Sequence, residues 1–308
     1  MLALRGRQGH ARSWKYEKMP NSRPDPSLGP KVSDEAIDTF RRDGVVCLRQ
    51  VFGPQWLDLL RCGIAENLER PSPKQEIRRA AADNSGPRYI EDFWVWSDFP
   101  PFERFVRQSP AAGLAAQLLD ARRINLVMDN WFLREAGSTA RPPWHHDISY
   151  FDFEGSMCVL WLPLDPTSKE DSIAFVRGSH LWNRLFMRTL FADHSAAAEP
   201  GVINGQRYEA PPDIDAAPGD YDLVSFDCAP GDCVFFDMRC LHGALGASTP
   251  KSTVRRYTLR MTKEDGHIRY RGDWAKQERA IMEAAGHREG DALISDFFPT
   301  LWENAQAS

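Results

Sequence analysis

The chain has no run of 18 apolar residues, so no helix spanning a membrane is expected. It has no C-x-x-C pair either. Its six cysteines, Cys47, Cys62, Cys158, Cys228, Cys233 and Cys240, are scattered, most of them in apolar runs such as "VVCL" and "MCVLW". They read as reduced, buried small hydrophobes, which excludes a disulfide scaffold and suits a cytoplasmic protein. The spacing of Cys228, Cys233, Cys240 and His242 matches no common zinc pattern. There is no internal repeat, no G-x-S-x-G, no secretory apolar segment and no peroxisomal ending. An excess of positive charge is missing as well. A net charge of −5 over 308 residues argues against nucleic acid as the partner.

What is present is ordinary globular composition, 42% hydrophobic and 26% charged, at a length suited to one or two domains. Residues 1–32 carry seven Lys/Arg against Glu17 and Asp25, so the rest of the chain is net acidic. This start is expected to be a disordered basic tail, with a mitochondrial transit segment as the alternative. Residues 33–308 then form one domain.

Ser33, followed by Asp34 and Glu35, caps an expected helix that "RRDG" ends, and "VVCLRQVF" reads as a strand. Pro54 starts a second helix with Trp56, Leu59, Leu60 and Ile64 in helical register. Residues 70–88 are polar and contain proline, so a loop is expected, and a further helix covers about 109–120. From 124 to about 265 short apolar runs alternate with turn residues: "INLVMDNWFL", "MCVLWLPL", "SIAFVRG", "DCVFFDM" and "RRYTLRM". That texture predicts a mainly β fold with flanking helices and a double-sheet jelly-roll, cupin-like core. Residues 183–222 lack strand pattern and are expected to be a lid insertion.

The stretch "RPPWHHDISYF" holds the chemistry. In extended chain, residues two apart project to one side, so His145 and Asp147 project together and His146 projects oppositely. Two ligands need a third, and the open triad of two histidines and one carboxylate in non-haem iron sites needs another histidine. His242 is the candidate: "APGDCVFFDMRCLHGA" is a turn, an apolar strand and then His-Gly at the strand exit. Taken alone, the His-His-Asp stretch reads as an ordinary hydrogen-bonded turn more readily than as a metal site. Further on, "VRRYTLRM" puts Arg256 and Thr258 on one side of a strand and Arg255, Tyr257, Leu259 and Met261 on the other. An arginine fork with a neighbouring hydroxyl suits one end of a dicarboxylate.

The order H-x-D, a long gap, H, then R resembles the Fe(II)/2-oxoglutarate-dependent oxygenases, specifically the phytanoyl-CoA dioxygenase family. "FRRDGVVCLRQVF", "WHHD", "VLWLPLD", "FVRGSH" and "APGDCVFFD...HGA" are each similar to that family's pieces, over roughly residues 33–265. The resemblance implies Fe(II) held by His145, Asp147 and His242, with 2-oxoglutarate and O2 as cosubstrates and succinate and CO2 as products. The far carboxylate of 2-oxoglutarate falls to Arg256 by alternation with Thr258, or to Arg255 by simple order after His242. Asp147 stands where related iron halogenases carry a small residue, so oxygenation is implied. "KEDSIAF" departs from the family's usual Glu-Asn-Gly. Trp144, Tyr150, Phe151 and Phe153 are candidate substrate walls, and the expected partner is a small to mid-sized, largely apolar molecule, with neither nucleic acid nor membrane. A cupin-like hydrolase or isomerase using zinc or manganese, or a non-catalytic binder, remains the alternative.

Overall fold

Alternation along two neighbouring strands sets the architecture. On Met157–Pro163, Cys158, Leu160 and Leu162 join one apolar cluster, while Val159 and Trp161 join another. The run is buried on both faces, which is why it reads as continuously hydrophobic. On Val254–Thr262, Tyr257, Leu259 and Met261 face the first cluster, and Arg256, Thr258 and Arg260 face a cavity on the other side. The structure, a computed structural model, describes residues 29–79, 85–191, 193–245 and 249–304. The expected basic tail lies outside the described residues up to position 28.

The principal sheet has eight strands. Its order is Val45–Leu48, Cys233–Asp237, Met157–Pro163, Val254–Thr262, Arg123–Arg134, Arg88–Phe93 and Glu76–Arg79, with Thr300–Glu303 also pairing to Arg123–Arg134. A second sheet, Leu223–Ser225, Ala174–Val176 and His242–Gly243, faces it through Phe175, which stacks near Phe236. Two antiparallel sheets with apolar residues between them make the jelly roll that the sequence predicts.

Helices cover the outer face of the principal sheet. Asp34–Asp43 begins with the Ser33 hydroxyl accepting from the Ala36 amide at 3.2 Å and ends at Gly44 in a left-handed conformation. Pro54–Glu69 buries Leu57, Leu60 and Ile64 against the sheet and crosses Pro100–Gln108 closely at Gly63. The helix expected near 109–120 is Ala111–Leu119. Among the described residues no helix is long and apolar enough to cross a membrane.

Two expectations are corrected. Residues 70–88 are not all loop, because Glu76–Arg79 adds an edge strand to Arg88–Phe93. Its residues are exposed or half-buried, so it carries no apolar alternation to betray it. Residues 183–222 do hold strands: Leu185–Phe186, Gly201–Ile203 and Gln206–Glu209 form a small sheet. Each is only two to four residues long and mostly outside the core, too short for a period to show.

Candidate metal centre and its cavity

His145 and His242 are brought together by backbone. They form an isolated antiparallel bridge in which each amide donates to the other's carbonyl at 2.8 Å. His242 is also paired to Phe175 of the second sheet, so the bridge ties the "HHD" segment to the sheet's edge. His146 is extended, and the chain then turns into the short 3₁₀ helix Asp147–Ser149, held by the Ile148 amide donating to Met238 O at 2.9 Å. His145 and Asp147 thus share a side, as strand alternation predicts, but the strand stops between them.

One ligand atom from each of His145, Asp147 and His242 lies within 4.8 Å of the others. Asp147 Oδ1 is 3.4 Å from His145 Nε2 and 3.8 Å from His242 Nε2. Both Nδ1 atoms face carbonyls, Pro143 O at 2.8 Å and Cys240 O at 3.0 Å, so Nδ1 carries the proton. That leaves both Nε2 lone pairs for the centre, the usual arrangement of a ligating imidazole. Burial, with His145 nearby, holds the His242 ring neutral, its pKa lowered to about 3. Burial opposes ionisation of Asp147, but the Arg260 guanidinium and both histidines outweigh it and hold the carboxyl well below its usual range. Two imidazoles presenting Nε2 and an ionised carboxylate, all buried, are a donor set suited to ferrous iron.

The three residues sit in a cavity of about 290 Å³ whose walls include Tyr89, Phe132, Tyr150, Phe151, Trp161 and Phe191. Arg256 lines it too, its guanidinium 5.4 Å from the Trp161 ring centre. One Arg256 nitrogen donates to Asp171 O at 2.7 Å, whereas its Nε is buried without a partner and no carboxylate pairs with it among the described residues. Burial, against the pull of Tyr89 and with Arg134 adding repulsion, pushes the Arg256 pKa down. A buried cation held that way calls for an anion, and a carboxylate in the cavity meets the need.

The other expected site residues separate. Thr258 lines the cavity beside Arg256. Arg255 does not: it points to the outer face and grips Asp165 through three hydrogen bonds of 2.7–3.0 Å, so of the doublet it is Arg256 that faces the cavity. Tyr150 and Phe151 are cavity walls, but Trp144 and Phe153 are not. Trp144 is packed among Ala174, Val176, Phe186 and Leu241, with Nε1 donating to Asp215. Phe153 is fully buried between Trp94 and Phe298. His146 turns away from the centre and accepts from the Phe186 amide at 3.1 Å.

Sequence reasoning passed over Arg260, Asn130, Arg188 and Phe191. Arg260 was legible, being two residues past Thr258 on the same alternation. Phe191 was not: it comes from the 183–222 segment and packs edge-on against His145 at 5.1 Å. Tyr150 anchors that segment, its hydroxyl donating to Thr189 O at 2.6 Å and accepting from Thr189 N at 3.0 Å.

A jelly roll with two imidazoles, one carboxylate and a buried guanidinium that, among the described residues, pairs with no carboxylate defines the class of Fe(II)/2-oxoglutarate-dependent oxygenases. The model of the phytanoyl-CoA dioxygenase (PhyH) family matches residues 40–257, and the chain belongs to that family. Among solved structures it is similar to the non-haem α-ketoglutarate-dependent carbocyclase SnoK of nogalamycin biosynthesis, with 21% identity and a TM-score of 0.66 over 88% of this chain and 96% of that one. The epimerase SnoN, solved with Fe3+, α-ketoglutarate and nogalamycin RO, is 20% identical with a TM-score of 0.65, over 87% and 98%. EctD from S. alaskensis, solved with 2-oxoglutarate and 5-hydroxyectoine, is 16% identical with a TM-score of 0.56, over 82% and 80%. No curated protein sequence matches the chain significantly.

Proposed function

We propose that His145, Asp147 and His242 hold Fe(II), that Arg256 and Thr258 seat the far carboxylate of 2-oxoglutarate, and that the enzyme oxidises a small to mid-sized, largely apolar organic molecule. The observation that carries this reading is the convergence of three buried ligand atoms in one cavity with an arginine that has no carboxylate partner among the described residues. Iron and the keto acid, when bound, supply an O2-dependent oxidation that releases succinate and CO2.

The chain's own residues have separate tasks. The carbonyls of Pro143 and Cys240 keep each imidazole in the ligating tautomer. Arg256 offers a planar fork to a carboxylate, the Thr258 hydroxyl adds a third donor, and the guanidinium lies over the Trp161 ring, 5.4 Å from its centre. Tyr150 and Phe191 close one side around His145 and exclude water from the reacting carbon.

The walls support the substrate class. Eight aromatic side chains line them, and five acidic side chains are matched by five arginines, so the cavity presents no excess positive charge to a polyanion. The test is anaerobic loading with Fe(II) and then 2-oxoglutarate, followed by succinate release across a panel of small molecules. Succinate formed only with both iron and 2-oxoglutarate supports the reading. Turnover on zinc or manganese without 2-oxoglutarate overturns it in favour of a cupin-like hydrolase or isomerase.

A further inference from the structure

The two oxygens of Asp147 have different company. Oδ1 faces both histidines, at 3.4 and 3.8 Å. Oδ2 takes two contacts from one guanidinium, Arg260 Nε and a terminal nitrogen, each at 2.8 Å. Arg260 is itself fixed. Its other terminal nitrogen donates to Asn130 Oδ1 at 2.6 Å, and its Cζ lies 5.1 Å from the centre of the Phe151 ring. All three polar residues are buried.

We infer that Arg260, braced by Asn130, is a positioning residue that restricts Asp147 to a single oxygen toward the metal and thereby keeps the adjoining coordination position open for the 2-oxo acid. This rests on reading His145, Asp147 and His242 as ligands. A free carboxylate bonds a divalent ion through one oxygen or two, and the second mode consumes one further position. Three facial ligands leave three positions, and a chelating keto acid with O2 needs all of them. With one N–H hydrogen-bonded to Oδ2 and a second guanidinium nitrogen in ion-pair contact with it, rotating that oxygen onto the metal means giving up a charge-assisted hydrogen bond and an ion-pair contact in a buried site. The guanidinium also lies on the side of the carboxylate away from the histidines. It therefore orients the ligand without competing for the metal, as outer partners of ligating residues do. A purely structural role, in which Arg260 only neutralises a buried charge, predicts lost stability and no selective effect on the keto acid.

The experiment separates metal affinity from keto-acid affinity without turnover. Wild type, Arg260→Met, Arg260→Lys and Asn130→Ala are titrated with Mn(II) by electron paramagnetic resonance, and the Mn(II)-loaded proteins are then titrated with 2-oxoglutarate. Folding is checked by circular dichroism and thermal melts. The expected result is a split. Arg260→Met keeps Mn(II) affinity within a few-fold yet weakens 2-oxoglutarate by about tenfold or more, the scale of lost outer partners. Arg260→Lys recovers part of that loss, since lysine supplies donors without the fork. If Arg260→Met does not fold, Asn130→Ala keeps both charges and removes only the brace, and 2-oxoglutarate should weaken by about threefold or more, within the range for one hydrogen bond. Unchanged 2-oxoglutarate affinity in the folded variants overturns the inference. Failure of wild type to bind Mn(II) at all overturns the ligand assignment beneath it.

Discussion

His145 and His242 are joined through their main chains, each amide donating to the other's carbonyl at 2.8 Å, so the imidazoles meet without their side chains holding the bridge. Alanine at either position should therefore leave the scaffold standing. His145→Ala and His242→Ala are expected to abolish 2-oxoglutarate turnover and bound iron while shifting stability by only about 1–2 kcal/mol, an ordinary single-site effect. Metal analysis with circular dichroism checks this. Retained iron in either variant contradicts the assignment.

Arg256 and Arg255 provide an internal control, being neighbours with opposite surroundings. Arg256→Lys loses the fork in a buried site and should raise the 2-oxoglutarate KM by about tenfold or more, the cost of a hydrogen bond to a charged group. Arg255→Lys loosens a half-exposed pair with Asp165, worth about 1 kcal/mol or less, and should leave KM within about twofold. Steady-state kinetics in 2-oxoglutarate decides, and a reversed order would mean that the strand binds the cosubstrate from its other face.

Asp129 should make stability depend on pH. Burial raises its pKa to about 7, against the pull of the Tyr257 hydroxyl at 3.0 Å and the amides of Trp96 and Val95. The native state then binds this proton more tightly than the unfolded chain does, so the stabilisation is full below about pH 4 and is lost as pH rises through about 7. Asp129→Asn should flatten that slope between about pH 4 and 7. Denaturant midpoints across the range measure it, and an unchanged slope rules Asp129 out as its source.

Gly63→Ala tests the crossing of the two outer helices. An added Cβ would lie 2.6 Å from a ring carbon of Phe102, which is fully buried and stacked on Tyr257 and so has little room to retreat. Alanine gains about 1 kcal/mol of helix propensity, but overpacking costs about 1–3 kcal/mol. A net loss of up to about 2 kcal/mol is expected from those two terms. A raised melting temperature would show that the helices separate freely.

The balance of charges in the cavity predicts a preference for a free acid or neutral molecule over its coenzyme A thioester. Paired turnover of an acyl-CoA and the matching free acid reads this directly, and a clear advantage for the thioester sinks the proposed substrate class.

Local signals were enough for much of the fold. Ser33 and Pro54 mark helix starts because caps act within a turn, and Arg256, Thr258 and Arg260 share a face because a strand's period is two. The separation of Arg255 from Arg256 needed only that period, yet its meaning did not: which face is cavity depends on Asp165, 90 residues earlier, capturing Arg255 on the outside. The place of His242 beside His145, the guanidinium behind Asp147 and the Phe191 wall likewise depend on contacts far apart in sequence. Asp147 and Arg260 are 113 residues apart, and Phe191 reaches His145 only because Tyr150 pins Thr189. Trp144 and Phe153 flank His145 and Asp147 in sequence and still miss the cavity. Adjacency along the chain fixes neither a side chain's neighbours nor which side of a packed sheet it faces; those are decided when distant strands pair and bury one face against another.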